Sequence, residues 1–124
     1  MKLVGTYVAL VTPFKDGAVD EDAFRALVDT VIDGGVEGIV PGGTPGETPT
    51  LSAAEISRVI TLAVETAAGR VPVIAGSGAN STAKTIESTK AVRELGVDVA
   101  LIVTPYYNKP PQSGLEAHYR AVAD

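Results

Sequence analysis

Nine residues, 42–50, read GGTPGETPT. Glycines at 42, 43 and 46 let a ligand approach the backbone closely. Thr44 brings a hydroxyl and an N–H, and successive loop N–H groups can hold a small anion such as a carboxylate. The same composition also suits a plain turn, and composition alone leaves both readings open. Glu47, the only carboxylate of the stretch, is either a base or, as we read it, an acceptor for loop N–H groups. A second stretch, TPYYNKPP at 104–111, sets Tyr106 beside Tyr107. A phenol, with a pKa of about 10, relays a proton when held near a hydroxyl or carboxylate; packing is the other reading. Lys15 and Lys109 are amines for imine chemistry only if desolvated. Lys109 lies between Asn108 and Pro110 in a polar loop and reads as solvated, and Lys15 has the same weakness. A third stretch, GSGANST at 76–82, looks like a phosphate cradle before a helix. It lacks the Gly-x-Gly-x-x-Gly spacing and the Gly-Lys-Ser/Thr ending, so Asn80 or Ser81 as a helix N-cap is the better reading.

The elements that must carry these loops alternate. Apolar runs at 6–11, 36–40, 71–75 and 98–103 are continuous rather than alternating, as in parallel strands buried on both faces. Between them lie helical stripes, one through Phe24, Leu27, Val28, Val31 and Ile32, and one through Ile56, Val59, Ile60, Ala63, Val64 and Ala67. A third surrounds Ile86, Val92 and Leu95, and the last runs from about Gln112 to Asp124. Asp20 is placed to cap the first helix, and Ser52 with Glu55 forms a capping box at the second. Gly34, Gly69 and Gly96 are placed as left-handed residues after helices. The unit is roughly 30 residues, one β/α step, and the first and fourth strands end alike, ALVTPF and LIVTPY. The fold class is therefore α/β, with residues 1–124 as a single domain. A small doubly wound sheet and half of a (β/α)8 barrel both fit, and both gather ligands at the C-terminal strand ends.

Composition narrows the function. The chain has 124 residues, 45% apolar and 20% charged, which is globular. The net charge of −5, without a basic run, argues against nucleic acid and anionic membranes as partners. No cysteine and a single histidine, His118, leave no thiolate or multi-histidine metal site within one chain. His118 falls on a helix face with no catalytic signal. No cofactor is implied. No signal peptide or membrane span is read, and a cytoplasmic location is expected.

Taken together, VTPF, GGTPGETPTL, GRVPVIAGSGANST and VTPYYNKP resemble the dihydrodipicolinate synthase family of pyruvate-dependent, Schiff-base-forming aldolases and lyases, over essentially the whole chain. The resemblance implies a (β/α)4 succession forming the N-terminal half of a (β/α)8 TIM barrel. It implies condensation of pyruvate with aspartate semialdehyde in lysine (diaminopimelate) biosynthesis, by a homo-oligomer. In that family a lysine on a later strand forms the imine, and a relay of two tyrosines and a threonine moves protons. By resemblance Thr44 and Tyr107 are the relay residues, with Tyr107 reaching into a neighbouring subunit's site. Thr44, Pro45 and Gly46 stand where the keto acid's carboxylate is held.

The chain departs from the family pattern at Pro45, where a second threonine is expected. Proline supplies neither N–H nor hydroxyl and biases Thr44 toward extended backbone. Carboxylate binding then falls to other donors such as the Gly46 N–H. Asn80 and Tyr106 match the family's regulatory lysine site, but Ala53, Ile56 and Lys84 do not, so lysine feedback is expected to be weak or absent. The imine lysine and second tyrosine would lie beyond Asp124, so this chain alone is expected to be inactive. Two alternatives remain at this stage: an N-acetylneuraminate-type or 2-keto-3-deoxy-sugar-acid-type aldolase, and a non-catalytic flavodoxin-like module binding an anion at GSGANST.

Overall fold

The computed structural model describes residues 2–124, so Met1 lies outside the described residues. The chain runs β1 (Tyr7–Ala9), β2 (Phe14–Lys15), β3 (Ala18–Val19), α1 (Glu21–Asp33), β4 (Gly38–Val40), 3-10 turns at Thr44–Gly46 and Thr48–Thr50, α2 (Ala53–Ala67), β5 (Ile74–Gly76), α3 (Thr82–Glu94), β6 (Val99–Leu101) and α4 (Gln112–Ala123). β1 pairs parallel with β4, Val8 opposite Ile39, and β5 pairs parallel with β6, Ala75 opposite Ala100. A parallel bridge between Ile39 and Val73 joins the two pairs into the order β1-β4-β5-β6. Each strand of this sheet leads to a helix, β1 by way of the β2–β3 hairpin, as the alternation of apolar runs and helical stripes requires.

The core lies between this sheet and the helices. Leu10 and Ile39 from the strands meet Phe24, Val28, Val59, Leu62 and Ala63 from α1 and α2. Ile60, Ala75 and Val92 form a second cluster that brings α3 onto the sheet. β4 is buried along its whole length, but β1 and β6 are only partly covered, and Leu101 is 52% exposed. Burial of all four runs on both faces therefore fails at the outer strands, which among the described residues pair on one side only.

Local chemistry fixes the helix ends. Asp20 accepts from Ala23 N at 3.0 Å, and Ser81, rather than Asn80, caps α3. Ser52 and Glu55 form the complete capping box of α2. Gly34 is not left-handed: it closes α1 at φ −69°, and Gly35 at φ 89° makes the turn. At the end of α2 the reversal is shared by Ala68 and Gly69. The β2–β3 hairpin, absent from the sequence reading, turns on Asp16 and Gly17, both at positive φ. Asp-Gly between short β-formers is the sequence signal that could have found it.

α1 and α2 are also joined by Arg25–Glu65 at 2.7 Å, Arg58–Glu21 at 2.5 Å and Arg70–Asp29. These pairs are well exposed, so each adds little stability, and the apolar seam beneath them holds the helices. α4 is tied to the start of α3 by Thr82 Oγ1 and His118 Nδ1, 2.9 Å apart, with the imidazole buried. His118 thus serves a helix contact with Thr82, the residue at which the loop after β5 enters α3.

Two outcomes are expected. Phe24 is 0% exposed, so Phe24→Ala should cost about 3–5 kcal/mol in a urea unfolding series. A loss within 1 kcal/mol, roughly one methylene's worth, would contradict this packing. Arg58 holds the Glu21 carboxyl below its ordinary value of 4.5, and hydrogen bonds from the Ser52 hydroxyl and N–H do the same for Glu55. A depressed folded-state pKa gives stability that is present above 4.5 and lost as pH falls through the folded value. Glu55→Gln should therefore flatten the acid limb of the stability–pH curve, read from urea midpoints.

Candidate active site

The loops that follow β1, β4, β5 and β6 meet at one end of the sheet. After β4 the backbone turns sharply. Gly42 is left-handed at φ 67°, Gly43 is extended, and Glu47 is left-handed at φ 58° between the two 3-10 turns. Gly46 N donates to Gly43 O and Glu47 N to Thr44 O, both at 3.0 Å. The Thr48 hydroxyl donates to Gly43 O at 2.8 Å, and Thr50 Oγ1 to Glu47 O at 2.9 Å. From the loop that follows β1, the buried Thr12 hydroxyl donates to Gly46 O at 2.8 Å. A Cβ at Gly46 would sit 3.0 Å from Leu10 O and 3.1 Å from Thr12 Oγ1, so this close approach needs glycine.

This geometry corrects three expectations. The Gly46 N–H is spent inside the turn and is not a spare donor for a carboxylate. Thr44 is the first residue of a 3-10 turn, not extended, despite the preference that Pro45 imposes. Hydrogen bonds from Thr12 and Thr48 on either side hold the turn against that preference. Glu47 shapes the loop through its left-handed backbone. Its exposed carboxylate accepts no loop N–H among the described residues.

Pro45 occupies the second position of its turn, where an N–H has no partner within the helix. Proline therefore costs the turn no internal bond. It removes one donor from the exposed face and leaves the Thr44 N–H and hydroxyl there. The Thr44 side chain makes no hydrogen bond among the described residues.

Thr44 lines a cavity of about 550 Å³ with Gly42, Gly43, Thr48, Val103 and Tyr106. Tyr107 does not line it: its backbone is at φ 69° and the residue is 93% exposed. Pro45 is exposed at the rim. Asn80 meets the tyrosine loop through its carbonyl, which accepts from Asn108 Nδ2 at 3.1 Å. Tyr119 of α4 braces the same loop, donating to Ile102 O at 3.3 Å. Ala53 and Ile56 line a separate cleft of about 210 Å³ between α2 and α3. Lys15 and Lys109 are exposed and line neither space.

In the GSGANST loop the Ser77 and Ala79 N–H groups are committed within the fold. Ser77 N donates to Leu101 O at 3.0 Å, Ala79 N to Thr85 Oγ1 at 3.0 Å, and Ser77 Oγ meets Thr89 Oγ1 at 2.9 Å. Thr12, Thr48 and Tyr119 are the residues that sequence reasoning missed. VTPF drew attention to Thr12 as part of a motif but did not show what its hydroxyl holds.

Fold and site together define a class: the first half of a (β/α)8 barrel with a strand-end pocket built on a Gly-Thr turn. The model of the dihydrodipicolinate synthetase family matches residues 2–124, and the chain belongs to that family. It is similar to the 4-hydroxy-tetrahydrodipicolinate synthases of Phenylobacterium zucineum, at 58% identity, and Citrifermentans bemidjiense, at 59%. Each match covers 97% of this chain and 41% of the relative, so the chain spans about two fifths of their length. Among solved structures, the 4-hydroxy-tetrahydrodipicolinate synthase of Methylacidiphilum fumariolicum superposes with TM-score 0.96 at 44% identity, covering 98% of this chain and 41% of that one. The chloride-inhibited dihydrodipicolinate synthase of Acinetobacter baumannii, complexed with pyruvate, gives TM-score 0.93 at 52% identity, covering 96% and 41%. These matches select the half-barrel over the doubly wound, flavodoxin-like sheet.

The Thr12 link is testable. Thr12→Val leaves the buried Gly46 carbonyl without its donor and should cost about 1–3 kcal/mol. The Glu47 amide should exchange faster with solvent, and Thr12→Ser should restore both readings. Unchanged exchange in Thr12→Val would remove Thr12 from the account.

Proposed function

We propose that this chain supplies the N-terminal half of a pyruvate-dependent lyase of the 4-hydroxy-tetrahydrodipicolinate synthase type. The reaction condenses pyruvate with aspartate semialdehyde in lysine biosynthesis. The observation that carries this reading is Thr44: an uncommitted hydroxyl and N–H, on a turn held from two sides, facing a cavity at the strand ends. The relatives named for this activity share 54–59% identity with the chain, and the A. baumannii enzyme was solved with pyruvate.

In this reading the keto acid's carboxylate lies against the Thr44 N–H, and the Thr44 hydroxyl passes a proton between two phenols. A hydroxyl both donates and accepts, so it can bridge them. Tyr107 is one phenol, given to the site of a neighbouring copy, which suits its exposure here. The imine forms when a lysine amine beyond Asp124 attacks the keto carbon of pyruvate and water leaves. Neither exposed lysine of the loops is desolvated as that step requires.

Two experiments test the proposal. Borohydride with pyruvate should leave this chain unmodified by mass spectrometry. A form extended beyond Asp124 should gain one reduced pyruvate adduct, and an adduct on Lys15 or Lys109 would overturn the assignment. In the extended form Pro45→Thr should return a donor to the carboxylate. A hydrogen bond to a charged group is worth about 1.5–3 kcal/mol, so the KM for pyruvate should fall at least roughly tenfold. An unchanged KM would place the carboxylate elsewhere.

A further inference from the structure

Tyr107 stands in a backbone conformation that its residue type resists. Its φ is 69°, in the left-handed region where a bulky side chain is an outlier. Asn108 N donates to Tyr106 O across it at 2.9 Å, so Tyr107 is the centre of a three-residue turn of the rare, strained hand. Such strain persists only where the surroundings over-determine it. The Tyr107 ring is too exposed for its own packing to do so among the described residues. The flanks do part of it. Pro105 is buried. Pro110 and Pro111, each with φ fixed by its ring, lie against Gly114 in the first turn of α4, where an added Cβ would come within 3.2 Å of Pro110 Cβ and 3.4 Å of Pro111 Cδ. Between these anchors, residues 106–109 make one side-chain hydrogen bond among the described residues: Asn108 Nδ2 donates to Asn80 O at 3.1 Å. Asn80 is itself a fixed post. The buried Thr85 hydroxyl accepts from Ala79 N at 3.0 Å and lies 3.0 Å from Ser81 O, holding the residue on either side.

We propose that Asn108 is a positioning residue for the proton relay: its carboxamide, tied to the Asn80 carbonyl, holds the Tyr107 turn and so sets where the Tyr107 phenol is presented. This inference rests on the lyase reading above, in which Tyr107 carries the proton. Any residue except proline at 108 supplies the N–H that closes the turn. Only a side chain that donates ties the turn to the fold. Alanine removes that tie, and ionised aspartate keeps the shape but sets an acceptor against the Asn80 carbonyl. The Thr44 turn is held by Thr12 and Thr48, not by this loop, so the seat of the keto acid is untouched by either change. Asn108 is exposed, so neither variant should unfold the chain.

In a form extended beyond Asp124, Asn108→Ala and Asn108→Asp should each lower kcat at least roughly tenfold, part of the ~10²–10⁴-fold that a positioned proton carrier supplies, with the KM for pyruvate within about twofold. A readout free of turnover is the strong intraresidue amide–Hα NOE that a positive φ gives Tyr107. It should weaken in both variants, with the Thr44 amide shift and circular dichroism unchanged. A Tyr107 NOE as strong as in the unsubstituted form would overturn the proposal, as would an unchanged kcat or a KM that rises as kcat falls. An unsubstituted extended form that turns over no pyruvate and aspartate semialdehyde would overturn the lyase reading, and this inference with it, whatever the NOE does.

Discussion

A parallel sheet has to be covered on both faces, because its strands carry apolar side chains on both. In this chain only the helix-facing side has its full cover. There α1 and α2 press Phe24, Val28, Val59, Leu62 and Ala63 onto Leu10 and Ile39, and this packing sets the curvature and order of the strands. Everything at the strand ends inherits its position from that layer. β4 is buried throughout because it has neighbours on each side, while β1 and β6 are left partly open.

The site shows how a local sequence conflict is resolved by nonlocal contacts. Proline at 45 disfavours a helical Thr44, yet the turn forms. Thr12 holds its last carbonyl from the loop after β1, and Thr48 holds the carbonyl before its start. Each bond is modest alone, about 1 kcal/mol net. Together they decide which donors face the cavity. Gly46 spends its N–H on the turn, so the exposed polar groups of Thr44 are what the loop offers a ligand. The loop after β5 spends its Ser77 and Ala79 N–H groups internally and supports the tyrosine loop through the Asn80 carbonyl.

Much of this was legible in the sequence, and the reasons differ by feature. The helices announced themselves through apolar stripes and caps, since periodicity and capping are local. The strand positions were legible as apolar runs, but not where pairing begins: the run at 71–75 enters its strand only at Ile74, because register depends on neighbours. The left-handed residue after α1 moved from Gly34 to Gly35 because either of two adjacent glycines can take it, and packing chooses. Thr44 and the tyrosine pair were legible as candidates from residue type and place after strands. The Thr12 hydrogen bond was not legible, since it spans 34 residues. The separation of Tyr106, on the cavity, from the exposed Tyr107 was legible, since adjacent residues just past a strand diverge.

The most direct test of the account is where pyruvate acts on the backbone. In a form of the protein extended beyond Asp124, amide NMR spectra recorded with and without pyruvate should show the largest shifts at Gly43, Thr44 and Glu47. The Ser77 and Ala79 amides, already committed within the fold, should barely move. Shifts concentrated in residues 76–82, with the Thr44 turn silent, would contradict the account.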